Sequence, residues 1–549
     1  MKFMPTKKDF WFLPLGGAGE IGMNLNLFGH DKQWLMVDLG ITFHDRLGVE
    51  IVTPDPSFIL PFQKELKGLV LTHAHEDHVG AVPYLWPLLR CPIYATPFTA
   101  AIVRQKIADK PWADEVELIE IPLSSCIKIG KFEVEFITLT HSIPEPNALA
   151  ITTPLGTVLH TGDWKIDPAP LVGQPTDFTR LKEWGDQGVL AMVCDSTNAL
   201  SEGTSGSEQA VREELHRLAG DFPHHRLTVA CFASNVARLE TAALVAAAHG
   251  RKVCLLGRSL HRMLAAAHYA GYLKTLAPFI SDKEAMMLPP DQVLLITTGS
   301  QGEARSALAR IANHQHPIVK LNNQDVVFFS SRVIPGNERN ISQLQNQLIR
   351  TGVQVITSQD EDIHVSGHPS QDELKEMYQL VRPKLAIPVH GEARHLYEHA
   401  LLAKNQGVSQ VVVPHNGSLI QMSGESAEII SQVEVGRWGM DGNRAIPMNS
   451  PLLKDRMKLS IQGSIFITLT VEYSGQLSRL PQFSMLGVAQ PGAEQEWLER
   501  ELNRAVRELS IADFKDDGVY KEAVKSLIRQ RVNQHFGKKP LVEIHLIKG

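Results

Sequence analysis

The chain has 549 residues, 43% apolar and 21% charged, with a formal net charge of −6. That length is too great for one ordinary core and predicts roughly three or four domains. The composition is that of a soluble globular protein with no apolar run long enough to span a bilayer, and a nucleic-acid partner would need a local basic groove because global attraction is absent.

The N-terminus, Met1-Lys-Phe-Met-Pro-Thr-Lys-Lys, runs straight into strand-like Phe10-Trp-Phe-Leu-Pro-Leu and has no signal-peptide core. Cys91, Cys126, Cys194, Cys231 and Cys254 are scattered and form no Cys-x-x-Cys pair. Such usage fits a reducing cytoplasm and excludes a cysteine zinc site by spacing. Residues 10–200 read mostly as strands. Gly17-Ala-Gly-Glu-Ile-Gly22 matches the dinucleotide pattern, with Asp38 about twenty residues on. The following Met23-Asn-Leu-Asn-Leu-Phe alternates, and Gly29–Lys32 is a turn before Trp34–Asp38. That is strand–turn–strand where a nucleotide fold needs a helix. We read a glycine loop near a metal site, with Asp38 either a turn carboxylate or a residue that holds a ligand.

Lys67-Gly-Leu-Val-Leu-Thr reads as a buried strand, and Val79–Leu89 has helical spacing. Between them stand His73, His75, Asp77 and His78. His73 and His75 are two apart, so in an extended segment they point the same way. Imidazole and carboxylate are the ligands of a hydrolytic zinc or manganese site. Phe132–Thr140 alternates as a strand and ends at His141, and Thr157–Asp163 is a strand ending in a carboxylate. Asp163 is the natural bridging ligand, because it has two oxygens to share between two ions.

From about 209 to 369 strands and helices alternate, which predicts a parallel sheet. The strands run into Ala233-Ser-Asn235, Gly257-Arg-Ser259, Gly299-Ser-Gln-Gly-Glu303 and Ser331–Asn340. Ser, Gly and Asn at helix N-termini are ordinary caps; several in one domain suggest a surface for phosphates. Asp362–His368 precedes a helix over 371–380, and Lys384–His390 is a strand ending in His. Residues 446–460 look like a linker. The tail from Leu459 reads as a small α/β domain with helices over 494–509 and 520–536.

These residues resemble a known group. His73-x-His75-x-Asp77-His78, with His141, Asp163 and His390-Gly-Glu, resembles the metallo-β-lactamase fold, and the inserted α/β region resembles the β-CASP nucleases. Val193-Cys-Asp195-Ser-Thr-Asn is similar to motif A of that group, His368 to motif B and His390 to motif C. Phe232-Ala-Ser-Asn235, Thr298–Glu303, Ile334–Glu338 and His364–His368 are similar to loops of the bacterial ribonuclease J family. The implied architecture is an α/β metallo-β-lactamase αββα sandwich (1–208 and 370–445). A parallel α/β β-CASP domain is inserted (209–369), and a linker (446–460) and small C-terminal α/β domain (461–549) follow.

The resemblance implies that His73, His75 and His141 hold one divalent ion, that Asp77, His78 and His390 hold another, and that Asp163 bridges. The ions would be zinc, with manganese as the alternative. His368 would be the general acid, oriented by Asp195, so that Asp77, Asp195 and His368 form the implied catalytic set. Phe232, Ser234, Asn235, Ser300 and Gln301 would line a pocket for a 5′-monophosphate. His364, Val365, Ser366, Gly367 and His368 would contact substrate beside it. The implied activity is 5′→3′ exonuclease and endonuclease action on single-stranded RNA, by a cytoplasmic homodimer or homotetramer that does not enter membranes. Some relatives carry a structural calcium, for which Glu50 and Asp441 are the plausible counterparts. Other readings are a β-CASP DNA nuclease, a catalytically silent RNA-binding subunit, and a small-molecule lactamase or thioesterase. Filled ligand positions argue against the silent subunit, and the long insertion argues against the small-molecule enzyme.

Overall fold

The strand Phe10–Gly16 is buried along its whole length, so both of its faces are covered. In the computed structural model, which describes residues 3–46, 48–423, 427–472, 474, 476–514 and 516–548, it lies inside an eight-stranded sheet. The strand order there is 428–432, 418–421, 10–16, 25–30, 33–37, 66–70, 93–95, 118–120. A second sheet of seven strands runs 126–129, 132–138, 147–153, 156–160, 191–195, 385–389, 410–411. Phe10, Phe12, Phe28 and Val37 from the first meet Phe132, Phe136, Leu149, Val193 and Ile387 from the second in one core. Each fully buried side chain of this kind contributes about 1.5–3 kcal/mol. The outer face of the second sheet packs on helices Phe178–Gln187, Gln371–Val381 and Ala393–Asn405 through Leu181, Met192, Leu374, Tyr378 and Leu402. Helices Val82–Leu89 and Pro97–Ile107 accompany the first. This is the αββα sandwich.

The inserted domain is a five-stranded parallel sheet, ordered 252–256, 293–297, 226–230, 325–329, 354–357. Val293, Leu295, Val327, Leu344 and Leu348 are among its core residues. Because every strand runs the same way, the loops at 231–235, 257, 298–306, 330–337 and 358–370 all leave from one edge. The glycine pattern at 17–22 opens no helix, and its Ala18–Gly19 pairs as a short strand with Gly391–Glu392. Gly17 has φ +86°, and a Cβ there would lie 2.3 Å from Asn24 Oδ1.

Sandwich and insert belong to one compact unit of residues up to 42 and 51–437; a second unit comprises 43–50 and 438–549. In the second, strands 482–486, 464–471 and 541–548 form a sheet. It packs on helices Ala493–Arg507 and Asp517–Phe536 through Ile465, Ile467, Leu498, Leu502, Val524 and Ile528. The segment expected as a linker is instead folded. Arg444–Pro447 closes a hairpin with Arg437–Asp441, and Pro451–Gln462 is a helix with Leu453 buried. Pro451 starts that helix rather than breaking it, since the first turn needs no N–H. Asp441, the calcium counterpart, is gripped by both ends of the Arg456 guanidinium at 2.8 and 2.9 Å.

Candidate metal centre and catalytic loop

The donors come from the ends of strands. His73 to Asp77 follow strand Leu66–Val70; His141, Asp163 and His390 follow 132–138, 156–160 and 385–389. Two of the turns bend sharply: His390 (φ 53°) and Asp38 (φ 64°) adopt the left-handed conformation beside the site. Gly40 packs so closely under the cluster that a Cβ would lie 1.6 Å from the Asp77 carbonyl oxygen.

All seven expected ligands converge. His73, His75, His141 and Asp163 form one group, and Asp77, His78, Asp163 and His390 another. Nδ1 of His75 lies 3.1 Å from Nε2 of His73 and 3.0 Å from Nε2 of His141. Asp163 Oδ2 is 3.8 Å from His73 Nε2, 3.9 Å from His141 Nε2, 3.1 Å from His78 Nε2 and 3.5 Å from His390 Nε2. Ligands at zinc distances on a tetrahedron stand roughly 3.3 Å apart, so these spacings suit a shared ion. His390 Nε2 is buried with no hydrogen-bond partner, as a nitrogen kept for a cation would be.

The other nitrogen of each imidazole is tied down. His73 Nδ1 meets Thr72 Oγ1 at 3.0 Å, His78 Nδ1 meets Asp38 Oδ2 at 2.7 Å, and His141 Nδ1 donates to the Gly367 carbonyl at 2.5 Å. His390 Nδ1 donates to Asn24 Oδ1 at 3.1 Å, and His75 Nε2 meets Ser234 Oγ at 3.2 Å. Such partners fix ring orientation and turn the second nitrogen of all five rings toward Asp163. Asp38 is therefore a supporting residue; Thr72 N–H donates to its Oδ1 at 2.8 Å.

Charge follows the same division. Burial pushes His73 and His141 well below the usual imidazole range and His75 to about 4, so these rings are neutral, the form that binds metal. Burial would raise Asp163, but His390 and His78 hold it well below the ordinary carboxylate range. His78 is raised, because Asp163, Asp38 and Asp77 outweigh its burial.

His368 and Asp195 also meet: His368 Nδ1 is 2.7 Å from Asp195 Oδ2. Burial lowers the ring and Asp195 more than reverses it, to about 9. Asp195 Oδ1 accepts from Thr197 N–H at 2.8 Å, so this carboxylate is a turn cap as well. Gly367 is pressed against His141, where a Cβ would lie 2.8 Å from Cε1. Ser366 Oγ accepts from His368 N–H at 3.2 Å. Val365 packs over Gly206, and burial with Arg238 and Arg332 nearby drives His364 down to about 3.

The expected phosphate pocket divides. Ser234 reaches the donor cluster through His75, and Phe232, two residues earlier, is half-buried. Ser300 is buried. Asn235 caps its helix by accepting from Arg238 N–H at 2.9 Å and donates to Glu208 at 3.0 Å. Gln301 donates to the Arg332 carbonyl at 2.7 Å and accepts from Ile334 N–H at 3.0 Å. Both side chains are committed to the scaffold. Sequence reasoning missed Asn24, Thr72 and Asn198. The one available signal for Asn24 is its place in the alternating run Met23-Asn-Leu-Asn-Leu-Phe, directly after the glycine loop.

Residues 22–176 match the metallo-beta-lactamase superfamily and 224–348 the ribonuclease J beta-CASP domain. Residues 338–414 match the Zn-dependent metallo-hydrolase RNA specificity domain and 451–548 the ribonuclease J C-terminal domain. The chain is 41% identical to ribonuclease J of Sinorhizobium meliloti, over 99% of this chain and 98% of that one. It is 37% identical to ribonuclease J of Mycolicibacterium smegmatis, over 96% and 95%. A solved structure of a protein of unknown function from Enterococcus faecalis shares the fold, with TM-score 0.53 and 16% identity, over 75% of this chain and 100% of that one.

Proposed function

The chain belongs to the ribonuclease J family, and from that membership we propose a two-ion RNA phosphodiesterase with 5′→3′ exonuclease and endonuclease activity that prefers 5′-monophosphate ends. It is a metal-dependent ribonuclease of the metallo-β-lactamase and β-CASP type. The observation that carries the reading is the set of five imidazole nitrogens around Asp163, each ring held from behind. His73, His75 and His141 would hold one ion, and Asp77, His78 and His390 the other, with Asp163 between them. The mixed nitrogen and carboxylate set favours zinc over manganese. When bound, the two ions would activate water and polarise the phosphate.

The chain's own groups supply the rest. His368, charged through Asp195, protonates the leaving 3′ oxygen. Ser366 Oγ accepts two hydrogen bonds, from His368 N–H and Asn198 Nδ2, which leaves its O–H to donate to a phosphate oxygen. Phe232 offers a face for a base, and Ser234 a hydroxyl for the terminal phosphate, close to His75. In this reading the chemistry lies in the sandwich, the grip in the insert, and self-association to a dimer or tetramer in the C-terminal unit. The free cysteines, four of them buried, fit a cytoplasmic site of action. No helix among the described residues is long and apolar enough to cross a membrane.

The test compares rates on matched 5′-monophosphate, 5′-hydroxyl and 5′-triphosphate RNAs. The expected order puts monophosphate first, with Ser234→Ala narrowing the difference. Equal rates on all three ends in the unaltered protein would remove the end-specific reading.

A further inference from the structure

Three residues beyond Asp195, and on the same turn, lies Asn198, which is 3% exposed. Its Nδ2 donates to Ser366 Oγ at 2.7 Å and to the His368 carbonyl at 3.0 Å. Its Oδ1 accepts from Arg332 Nη1 at 2.7 Å. Arg332 is exposed and stands on the 330–337 loop of the inserted domain. That loop is in turn held by Gln301, which bonds the Arg332 carbonyl and the Ile334 N–H.

A carboxamide has one accepting and one donating end, and a guanidinium only donates. Arg332 therefore decides which way the Asn198 amide faces. With Oδ1 on the guanidinium, the NH2 group must point at Ser366 and His368. Reversed, it would set donor against donor on one side and acceptor against acceptor on the other. His368 is thus held twice from one turn, its ring by Asp195 and its backbone by Asn198. The second hold depends on a residue from the other domain.

We propose that Asn198, oriented by Arg332, is a positioning residue for the His368 loop, so that the proton donor is aligned only while the rim of the inserted domain is in place. The inference rests on the reading of His368 as general acid. A donor displaced by about an ångström loses much of its value, and the whole effect of general acid catalysis is about 10²–10⁴-fold.

The readout is leaving-group dependence. Full-length protein is assayed on RNA, whose 3′ oxygen needs a proton, and on the p-nitrophenyl ester of uridine 5′-monophosphate, whose leaving group departs without one. Asn198→Asp keeps the shape and the acceptor for Arg332 but loses both donations. It should lower kcat on RNA by roughly 10–100-fold more than kcat on the ester, within the general acid range, since any change at the Ser366 phosphate contact falls on both substrates alike. Arg332→Ala, on an exposed residue, should reproduce this pattern, and Arg332→Lys should recover most of it. Equal loss on both substrates, loss of bound metal, or wild-type kcat on RNA for Asn198→Asp would overturn the proposal. His368→Ala run in parallel separates the two ideas. If it shows leaving-group dependence and the Asn198 and Arg332 variants do not, the positioning role of Asn198 falls and the acid stands. If His368→Ala loses both substrates equally, the acid assignment falls and the positioning role with it.

Discussion

The wall that carries the donor atoms and the rim of the parallel sheet use buried polar side chains for opposite ends. At the donor wall, Thr72, Asp38, Asn24 and the Gly367 carbonyl hold imidazoles from behind so that their second nitrogens stay open. At the rim, Asn235 and Gln301 turn their side chains inward to helix 236–248 and to loop 330–337. Similar residue types thus expose a ligand atom in one place and hide it in the other. The difference lies in what is buried with them. Five clustered histidines need outside partners to hold their rings aligned. A loop leaving a strand needs its own N–H and C=O groups satisfied first.

Three substitutions would sharpen or break that contrast. The largest effect is expected at Asp163, the one side chain common to both ligand groups. Asp163→Asn should empty both ion positions and bring cleavage to the level of metal-free protein, read by elemental analysis beside an RNA assay. Retention of two ions per chain would mean that Asp163 does not bridge. Next comes Asp38→Asn, which leaves every donor in place but weakens the hold on His78. Metal affinity should fall by about 10–100-fold. Unchanged affinity in a metal titration would show that the backing partners are ornamental. The smallest effect belongs to the rim. Asn235→Ala removes a helix cap and should cost about 1–2 kcal/mol in denaturant unfolding, while discrimination among 5′ ends persists. Intact stability with lost discrimination would make Asn235 a ligand contact and dissolve the contrast.

The donor wall was legible in the sequence because its ligands sit at strand ends in short windows, and strand alternation marks where those ends fall. His73, His75, Asp77 and His78 stand within six residues. The parallel sheet was legible from its repeating strand–loop–helix order. The supports were not. Asn24 contacts His390, which is 366 residues away, and Asn198 contacts Arg332 at a separation of 134. Such pairings depend on how two sheets and an insert close, and no local pattern encodes that. The helix Pro451–Gln462 lies in the segment read as a linker, where two prolines and mixed charge obscure a helix start at which proline is favourable. At the rim, a capping Asn and a phosphate-binding Asn look alike until their partners are seen.

The Arg456 grip on Asp441 bears on how this protein can be handled at the bench. A guanidinium is a cation that belongs to the chain, so no chelator can strip it. Among the described residues, every group of three or more potential metal ligands lies at the one site around Asp163. Treatment with a chelator should therefore silence RNA cleavage while the circular dichroism of the C-terminal unit and its melting stay where they were. Activity restored by adding back one metal at a time would then report on the catalytic ions alone.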